Sequence, residues 1–520
     1  GCEEAGAEGF DVAVSEADVR DILNNVLYSC GDGTDDDGVD RRKEDSSGPS
    51  SDRGEEGRTR RTRTLARHPV GALTTLPRSE WATARRTLRS NSDKNRAAFD
   101  IIDSALFVLV LDDYEPKTVD EAAANMLHGS YKLCNKKGSG GRNSFEEGGK
   151  VLPTHTENQI GTCINRWYDK LQIIVCSDGT AGVNFEHSCI DGHTALRLVS
   201  DIFAESIISF AQSITKTIYK HEAIPSILPT RVVRAPVSKI KTMEDVTEES
   251  KQGSYISPRR IDFDVPPSIV DAIFHAEASL GDRVCAVETV TLEYKRFGKL
   301  FITSNKMSPD AFVQASIQLA HYRLYGKVAC AYESVMTKRF LHGRTAAMRS
   351  TTPPMAAFCK TWCSKASSAE KRVAALRAAL AEHSRLVGEA AGGMGFDRHL
   401  YALLCVAERD GTSAVPEFYR SEAWRLIATT ILSTSNCGNP SLRHFGFGPV
   451  SPVGFGIGYI IKNGHLNYTV SSQHRQTRRF VSVLSDYLDE VYTVLQGSLS
   501  DNYVIASMSR KPSVLQEKDI

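Results

Sequence analysis

In the run Asn184-Phe185-Glu186-His187-Ser188-Cys189-Ile190-Asp191-Gly192 a histidine leaves a strand-like stretch and leads into a helical one. Backbone geometry at such a junction can hold an imidazole pointing into a cleft. Asp191, four residues on, can support the turn or fix the ring. One histidine so placed suits a general base that takes a proton from an alcohol or a thiol. Taken alone, the spacing fits a satisfied structural histidine better than a base. His187, Cys189 and His193 do not make a metal site, since a helix-borne site wants ligands four residues apart plus a further partner. Gly454-Phe455-Gly456-Ile457-Gly458 lies in a hairpin pattern instead of a strand-to-helix turn, so a dinucleotide fingerprint is rejected.

The elements that must carry these residues are readable from pattern. Leu171 to Cys176 and Ala181 to Phe185 flank Ser177-Asp178-Gly179, a strand–turn–strand signature. From Ile190 to Ile214 the apolar spacing is helical, through Leu196, Leu198, Ile202, Phe203, Ile207 and Phe210. Ser308-Pro309-Asp310 starts a second helix: serine caps, proline fits the first helical position, and aspartate suits the positive dipole end. That helix runs to about Tyr325, with Gly326 as its left-handed stop. A third helix begins near Ser368, with Val373, Leu376, Leu380 and Val387 on one face. Val453 to Ile461 and His465 to Ser471 flank Asn463-Gly464, a hairpin signal. Strands and helices mix throughout, so the class is α/β or α+β.

Length and composition bound the rest. At 520 residues the chain suits two large domains or about three smaller ones. Lys+Arg and Asp+Glu each number 63, which leaves no basic excess to bind a phosphate backbone and argues against nucleic acid as a partner. No apolar run is long enough to span a bilayer; Ala105 to Leu111 stops at Asp112-Asp113. The twelve cysteines form no CxxC pair, as expected for free thiols of an intracellular protein. Gly31 to Thr64 has Val39 as its sole large aliphatic residue and reads as a disordered insertion. Asn135 to Lys150 reads as a second loop insertion, and no internal repeat is found. The start at Gly1, with no signal pattern after it, suggests a fragment or a processed form.

Reading outward from His187, the sequence resembles the choline/carnitine acyltransferase family. Ile164-Asn165-Arg166-Trp167-Tyr168-Asp169-Lys170 precedes the Glu186 to Gly192 block, and Lys306-Met307-Ser308-Pro309-Asp310-Ala311-Phe312 follows it. Ala331-Tyr332-Glu333-Ser334 comes next, then Phe340 to Thr345, Asp397-Arg398-His399-Leu400, Leu432 to Ser435 and Phe447-Gly448-Pro449-Val450. Several separate blocks in one order are far more specific than any single motif.

The resemblance implies an α/β fold of two chloramphenicol-acetyltransferase-like domains with a tunnel at their interface. The expected division is a partial N-terminal segment at 1–30, the disordered insertion at 31–64, an N-terminal half at 65–260 carrying the histidine, and a C-terminal half at 261–520. The N-terminal part is expected to be truncated, because family members carry well over a hundred residues before the segment matching Pro69. The implied reaction is reversible acyl transfer between CoA and the hydroxyl of carnitine, with no metal and no permanently bound cofactor; CoA and acyl-CoA are substrates. His187 matches the base, Asp191 a supporting residue, and Ser435 the oxyanion donor. Tyr332, Thr345 and Arg398 match the carboxylate site that distinguishes carnitine from choline. Ser334 matches a position near the reacting centre, and Phe447 and Val450 the wall for the trimethylammonium group. Lys299 and Asp310 match the CoA site. Thr303 stands where a second lysine is usual, which leaves open either weaker phosphate binding or rescue by Lys306. Phe445 falls where long-chain members have glycine, which favours a short acyl group; a slip of one residue would put Gly446 there instead. The expected chain is monomeric, without a membrane span, and mitochondrial or peroxisomal. The alternatives are a non-catalytic CoA-binding remnant and a choline O-acetyltransferase.

Overall fold

The structure is a computed structural model and describes residues 68–135, 157–159, 161–188, 190–218, 260–410 and 415–509. The segment 1–30, the 31–64 insertion, nearly all of the Asn135 to Lys150 insertion and Cys189 lie outside the described residues. In chain order the elements begin with α1 (Arg78–Asn91), α2 (Asp93–Ser104), β1 (Val108–Asp112), α3 (Val119–His128), β2 (Leu133–Asn135) and β3 (Glu157–Gln159). Next come β4 (Gln172–Cys176), β5 (Ala181–Asn184), α4 (Gly192–Ile218), α5 (Pro267–Ala286), β6 (Glu288–Tyr294), α6 (Lys299–Ser304) and α7 (Pro309–Tyr325). Then follow β7 (Ala331–Met336), β8 (Thr345–Arg349), α8 (Pro353–Cys363), α9 (Ala369–Ala391) and α10 (Asp397–Asp410). The last are α11 (Glu422–Ala428), β9 (Leu432–Asn436), β10 (Phe455–Ile461), β11 (Leu466–Ser472) and α12 (Thr477–Ser509). The fold is mixed α/β.

The described residues divide into two compact units, one drawn from 68–69, 85–104 and 260–270, the other from 70–84, 105–218 and 271–509. In the first, buried Asn95 of α2 donates to the carbonyls of Leu88 and Asp264, each at 2.8 Å, and accepts from the Asp264 amide at 2.7 Å. A buried amide side chain so paired leaves little polar cost.

The second unit holds a six-stranded sheet in the order β6-β11-β10-β9-β7-β8. β9 runs parallel to both β7 and β10, and the remaining pairs are antiparallel. Residues of α7, α8, α9 and α12 form one apolar core with this sheet, including Phe312, Phe358, Leu376, Ile457, Tyr468 and Leu488. The α7 helix begins and ends as its residues dictate. Ser308 accepts from the Ala311 amide, Pro309 occupies the first turn, and Gly326 stops the helix at φ 72°. Every residue from Ala311 to His321 is buried, so α7 is enclosed on all sides and its polar side chains must find partners inside. The β10–β11 hairpin turns at Asn463-Gly464, with Tyr459 opposite Tyr468.

A three-stranded sheet, β1-β4-β5, carries the histidine segment. β1 runs parallel to β4, and β4 turns back into β5 through Gly179 at φ 85°, where the Asp178 carboxylate accepts from the Thr180 amide at 2.9 Å. Arg166 and Asp112, both buried, meet through two bonds of 2.7 and 2.8 Å. Asn125 of α3 donates to the same carboxylate at 3.0 Å, so β1, α3 and the segment before β4 are tied at one point. The α4 helix forms where expected, but the apolar face read from its spacing is not buried among the described residues. Ile202, Phe203, Ile207 and Phe210 are 43–67% exposed. Helical periodicity identifies the element here without saying what covers it.

Candidate active site

His187 stands in the turn between β5 and α4 with its side chain 67% exposed. Its Nδ1 lies 2.8 Å from the carbonyl oxygen of Ile190. A carbonyl only accepts, so Nδ1 carries a proton, and in the neutral ring the lone pair is then on Nε2. Asp191 is nearly buried; its Oδ1 lies 3.4 Å from His187 Nδ1 and accepts from Arg344 Nη2 at 2.7 Å. Arg344 also donates to the carbonyls of His187 and Ser188, each at 2.9 Å. Those arginine bonds hold the Asp191 carboxyl below the usual carboxylate range. The turn is therefore clamped by one guanidinium that reaches it from the segment before β8.

Ser435, on β9, lies beside Ser334 of β7, their hydroxyl oxygens 3.2 Å apart. His187, Asp191, Ser334 and Ser435 all line one cavity of ≈ 2160 Å³. Tyr332 and Thr345 line the same cavity, as do Phe445, Gly446, Phe447 and Val450. Both residues open to the acyl-length reading, Phe445 and Gly446, thus face that space. Val450 is 66% exposed, at an outer position of the lining.

Thr345 and Arg398 are brought together. Arg398 Nε donates to the Thr345 carbonyl at 2.9 Å and Nη2 to its hydroxyl at 3.2 Å. A second, reciprocal link runs from β8 to α10: Arg349 Nε donates to Asp397 at 2.7 Å and Nη1 to Thr430 Oγ1 at 2.8 Å. The Arg349 guanidinium also stands 5.9 Å from the centre of the Tyr332 ring. Burial pushes the Tyr332 phenol up, against the pull of Arg398 and Arg349, so it stays a neutral donor. Asp310, at the start of α7, reaches the cavity too, whereas Lys299 and Lys306 are exposed and do not line it. Lys306 has φ 56°, the left-handed region. Thr303 Oγ1 donates to the Lys299 carbonyl at 2.9 Å, spending its hydroxyl on its own helix.

The wall that carries Phe445 and Phe447 is held from outside. Arg443 Nε donates to Glu293 at 2.6 Å, Asn467 donates to the Arg443 carbonyl at 2.7 Å, and Lys462 donates to the Asn439 carbonyl at 2.7 Å. The bond from Arg443 pulls the Glu293 carboxyl down to about 2 against the cost of its burial. A carboxyl depressed on folding stabilises the protein fully above its unfolded value near 4.5, and that contribution fades as pH falls toward about 2. Arg443→Met should therefore lower the unfolding midpoint near neutral pH, and the difference from wild type should shrink through the window from about 4.5 to about 2. Denaturant titrations at a series of pH values measure it; a difference that does not change with pH would remove the pair as its source.

The family model described as "Choline/Carnitine o-acyltransferase" matches residues 55–486. The chain belongs to this family. A Saccharomyces cerevisiae protein named as a mitochondrial carnitine O-acetyltransferase is 37% identical over 429 residues, 81% of this chain and 59% of the relative. Carnitine O-palmitoyltransferase 2, mitochondrial, of Xenopus tropicalis is 35% identical, over 82% of this chain and 56% of the relative. The rat protein of that name is 32% identical over the same shares. The chain thus spans a little over half the length of the curated relatives it matches. Among solved structures, polyketide synthase associated protein 5 from Mycobacterium tuberculosis aligns with a TM-score of 0.26 at 14% identity, over 61% of this chain and 75% of that one; a likeness so slight carries no argument.

Within this acyltransferase frame, three residues that line the cavity escaped the reading of the sequence as functional positions. Arg344 and Glu333 sit inside motifs already noted, FLHGR and AYES, and only their neighbours drew attention. Arg349 lies in no motif, and nothing local marks it. No helix among the described residues is long and apolar enough to cross a membrane.

Proposed function

We propose that this chain carries out reversible transfer of an acyl group between CoA and the hydroxyl of carnitine, the cavity serving as the tunnel between two acyltransferase halves. One observation carries the reading: His187, with its Nε2 lone pair free, lines the same cavity as Ser435 and as two of the three residues suited to bind a carboxylate. His187 Nε2 takes the carnitine hydroxyl proton as that oxygen attacks the thioester carbonyl. The oxyanion that forms accepts from the Ser435 hydroxyl. Collapse breaks the carbon–sulfur bond, and the leaving CoA thiolate recovers the proton from the imidazolium; the reverse reaction runs the same steps backward.

Tyr332, Thr345 and Arg398 suit the carnitine carboxylate, with Arg398 offering a planar fork. Phe447 and Val450 suit the trimethylammonium group, for which an aromatic face offers cation–π attraction. Asp310 with Lys299 and Lys306 is assigned to CoA. Relatives named for acetyl and for palmitoyl transfer both match, so their names do not set acyl length; Phe445 in the cavity wall favours a short chain. The same names support a mitochondrial site of action.

The deciding experiment measures CoA release from acetyl-CoA with carnitine or choline as acceptor. Arg398→Asn should raise the carnitine KM about 30- to 150-fold, the equivalent of about 2–3 kcal/mol for a lost charged hydrogen bond. The KM for acetyl-CoA should change less than twofold. Choline used as readily as carnitine by the wild type would overturn the assignment of the alcohol, and absence of turnover on both would overturn the reaction.

A further inference from the structure

Beside the cavity, whose lining includes Asp310 and Glu333 but not His383, lies a group of ionisable side chains that take no proton in the acyl-transfer steps. Glu333 is 5% exposed and His383, on α9, is 1% exposed; His383 Nε2 and Glu333 Oε2 are 2.7 Å apart. Ligand-capable atoms of Asp310, Glu333 and His383 all fall within 4.8 Å of one another. Asp310 Oδ1 in turn accepts from the Tyr459 hydroxyl at 2.7 Å and from Asn436 Nδ2 at 3.1 Å. Gln314 of α7 donates to Tyr459 at 3.0 Å and to Thr434 Oγ1 at 2.9 Å, and Thr434 donates to the Tyr332 carbonyl at 2.7 Å. These bonds lead from Asp310, which stands beside the Glu333–His383 pair, back to β7 at Tyr332.

Strand alternation gives this arrangement its meaning. Glu333 pairs with Thr434 in the parallel β7–β9 ladder, and both are buried on the helix-facing side. Their chain neighbours Ser334 and Ser435 therefore share the opposite, cavity-facing side, where their hydroxyls meet. A metal ion does not explain the group. Two ligands of one tetrahedral zinc stand about 3.3 Å apart, given bonds of about 2.0 Å, which is wider than the 2.7 Å between His383 and Glu333. A shared proton does explain it: burial pushes the Glu333 carboxyl up to about 7, opposed by the bond from His383, and Asp310 adds to the rise.

We propose that Glu333 and His383 are positioning residues for the acyl-transfer reaction, a buried hydrogen-bonded pair that fixes β7 against β9 and thereby the placement of Ser334 and Ser435. This inference rests on the reading of Ser435 as oxyanion donor. A side chain misplaced by about 1 Å can cost about a hundredfold in rate, so a brace this close to the donor acts on turnover more than on binding. Neither residue touches the reacting atoms in this account.

The test uses the full chain. Glu333→Leu and His383→Leu should lower kcat 10- to 100-fold with the acetyl-CoA KM within twofold. Glu333→Gln, which keeps the shape, accepts from His383 and donates to Asp310, should restore kcat to within threefold of wild type. In parallel, amide hydrogen exchange in 331–336 and 432–436 should speed up at least tenfold in the leucine variants and not in the glutamine one, while the β10–β11 pairing stays unchanged. Should a leucine variant not fold, the alanine substitution at the same position, which also removes the bond, takes its place. Unchanged kcat and exchange in the leucine variants, or a glutamine variant as impaired as the leucine one, would overturn the proposal. A wild type without turnover would sink the acyl-transfer reading instead, and the exchange data would still decide the brace.

Discussion

His187→Ala should lower kcat about 10³- to 10⁴-fold, the upper part of the range for removing a positioned general base. The expectation follows from which nitrogen is free. Nδ1 is committed to the Ile190 carbonyl at 2.8 Å, so the proton-accepting lone pair sits on Nε2. The ring cannot easily swap these roles, because the turn that carries it is held by Arg344 through the carbonyls of His187 and Ser188 and the carboxylate of Asp191. Alanine leaves that clamp intact, since all three of its bonds go to backbone carbonyls or to Asp191 and none to the imidazole. CoA affinity by calorimetry should therefore stay within about twofold while turnover collapses. Asp191→Asn gives an instructive contrast. The amide oxygen can still accept from Arg344, so the turn persists and the loss should be far smaller. A His187→Ala protein that keeps more than one-tenth of wild-type kcat would place the base elsewhere.

What the residues disclosed before the fold was known divides by the range of the physics involved. The caps of α7 were legible because Ser308, Pro309 and Gly326 act on backbone groups within a turn of themselves. The β10–β11 hairpin was legible for the same reason, through Asn463-Gly464. His187 was visible as a strand-to-helix histidine, but neither its tautomer nor its clamp was, since Arg344 lies 153 residues from Asp191. Arg349 and His383 acquire meaning only when β8 meets α10 and α9 meets β7. The α4 helix forms where its periodicity placed it, but the spacing could not say what its apolar face meets: Ile207 and Phe210 stay exposed among the described residues. Asp310 shows why a motif position can carry two demands. It was read as a CoA contact, and its Oδ1 is already engaged by Tyr459 and Asn436.

Ser435→Ala should lower kcat about 10²- to 10³-fold, the cost of one preorganised oxyanion donor, about 3–4 kcal/mol of barrier. The geometry makes the accompanying pattern specific. Ser334 and Ser435 share a hydrogen bond of 3.2 Å, and only one hydroxyl can donate in it. For Ser435 to give its proton to an oxyanion it must accept from Ser334, so Ser334 sets the direction in which the donor points. Ser334→Ala should then cost about tenfold, because the Ser435 hydroxyl survives but is free to rotate. Combining the two substitutions should cost little more than Ser435→Ala alone, since an orienting group has no effect once its target is gone. KM values for both substrates should hold in all three proteins, as expected for an interaction made only in the transition state. Single losses that simply multiply in the double variant would mean that the two hydroxyls act on the reaction independently. A Ser435→Ala loss under threefold would move the oxyanion donor to another group lining the cavity.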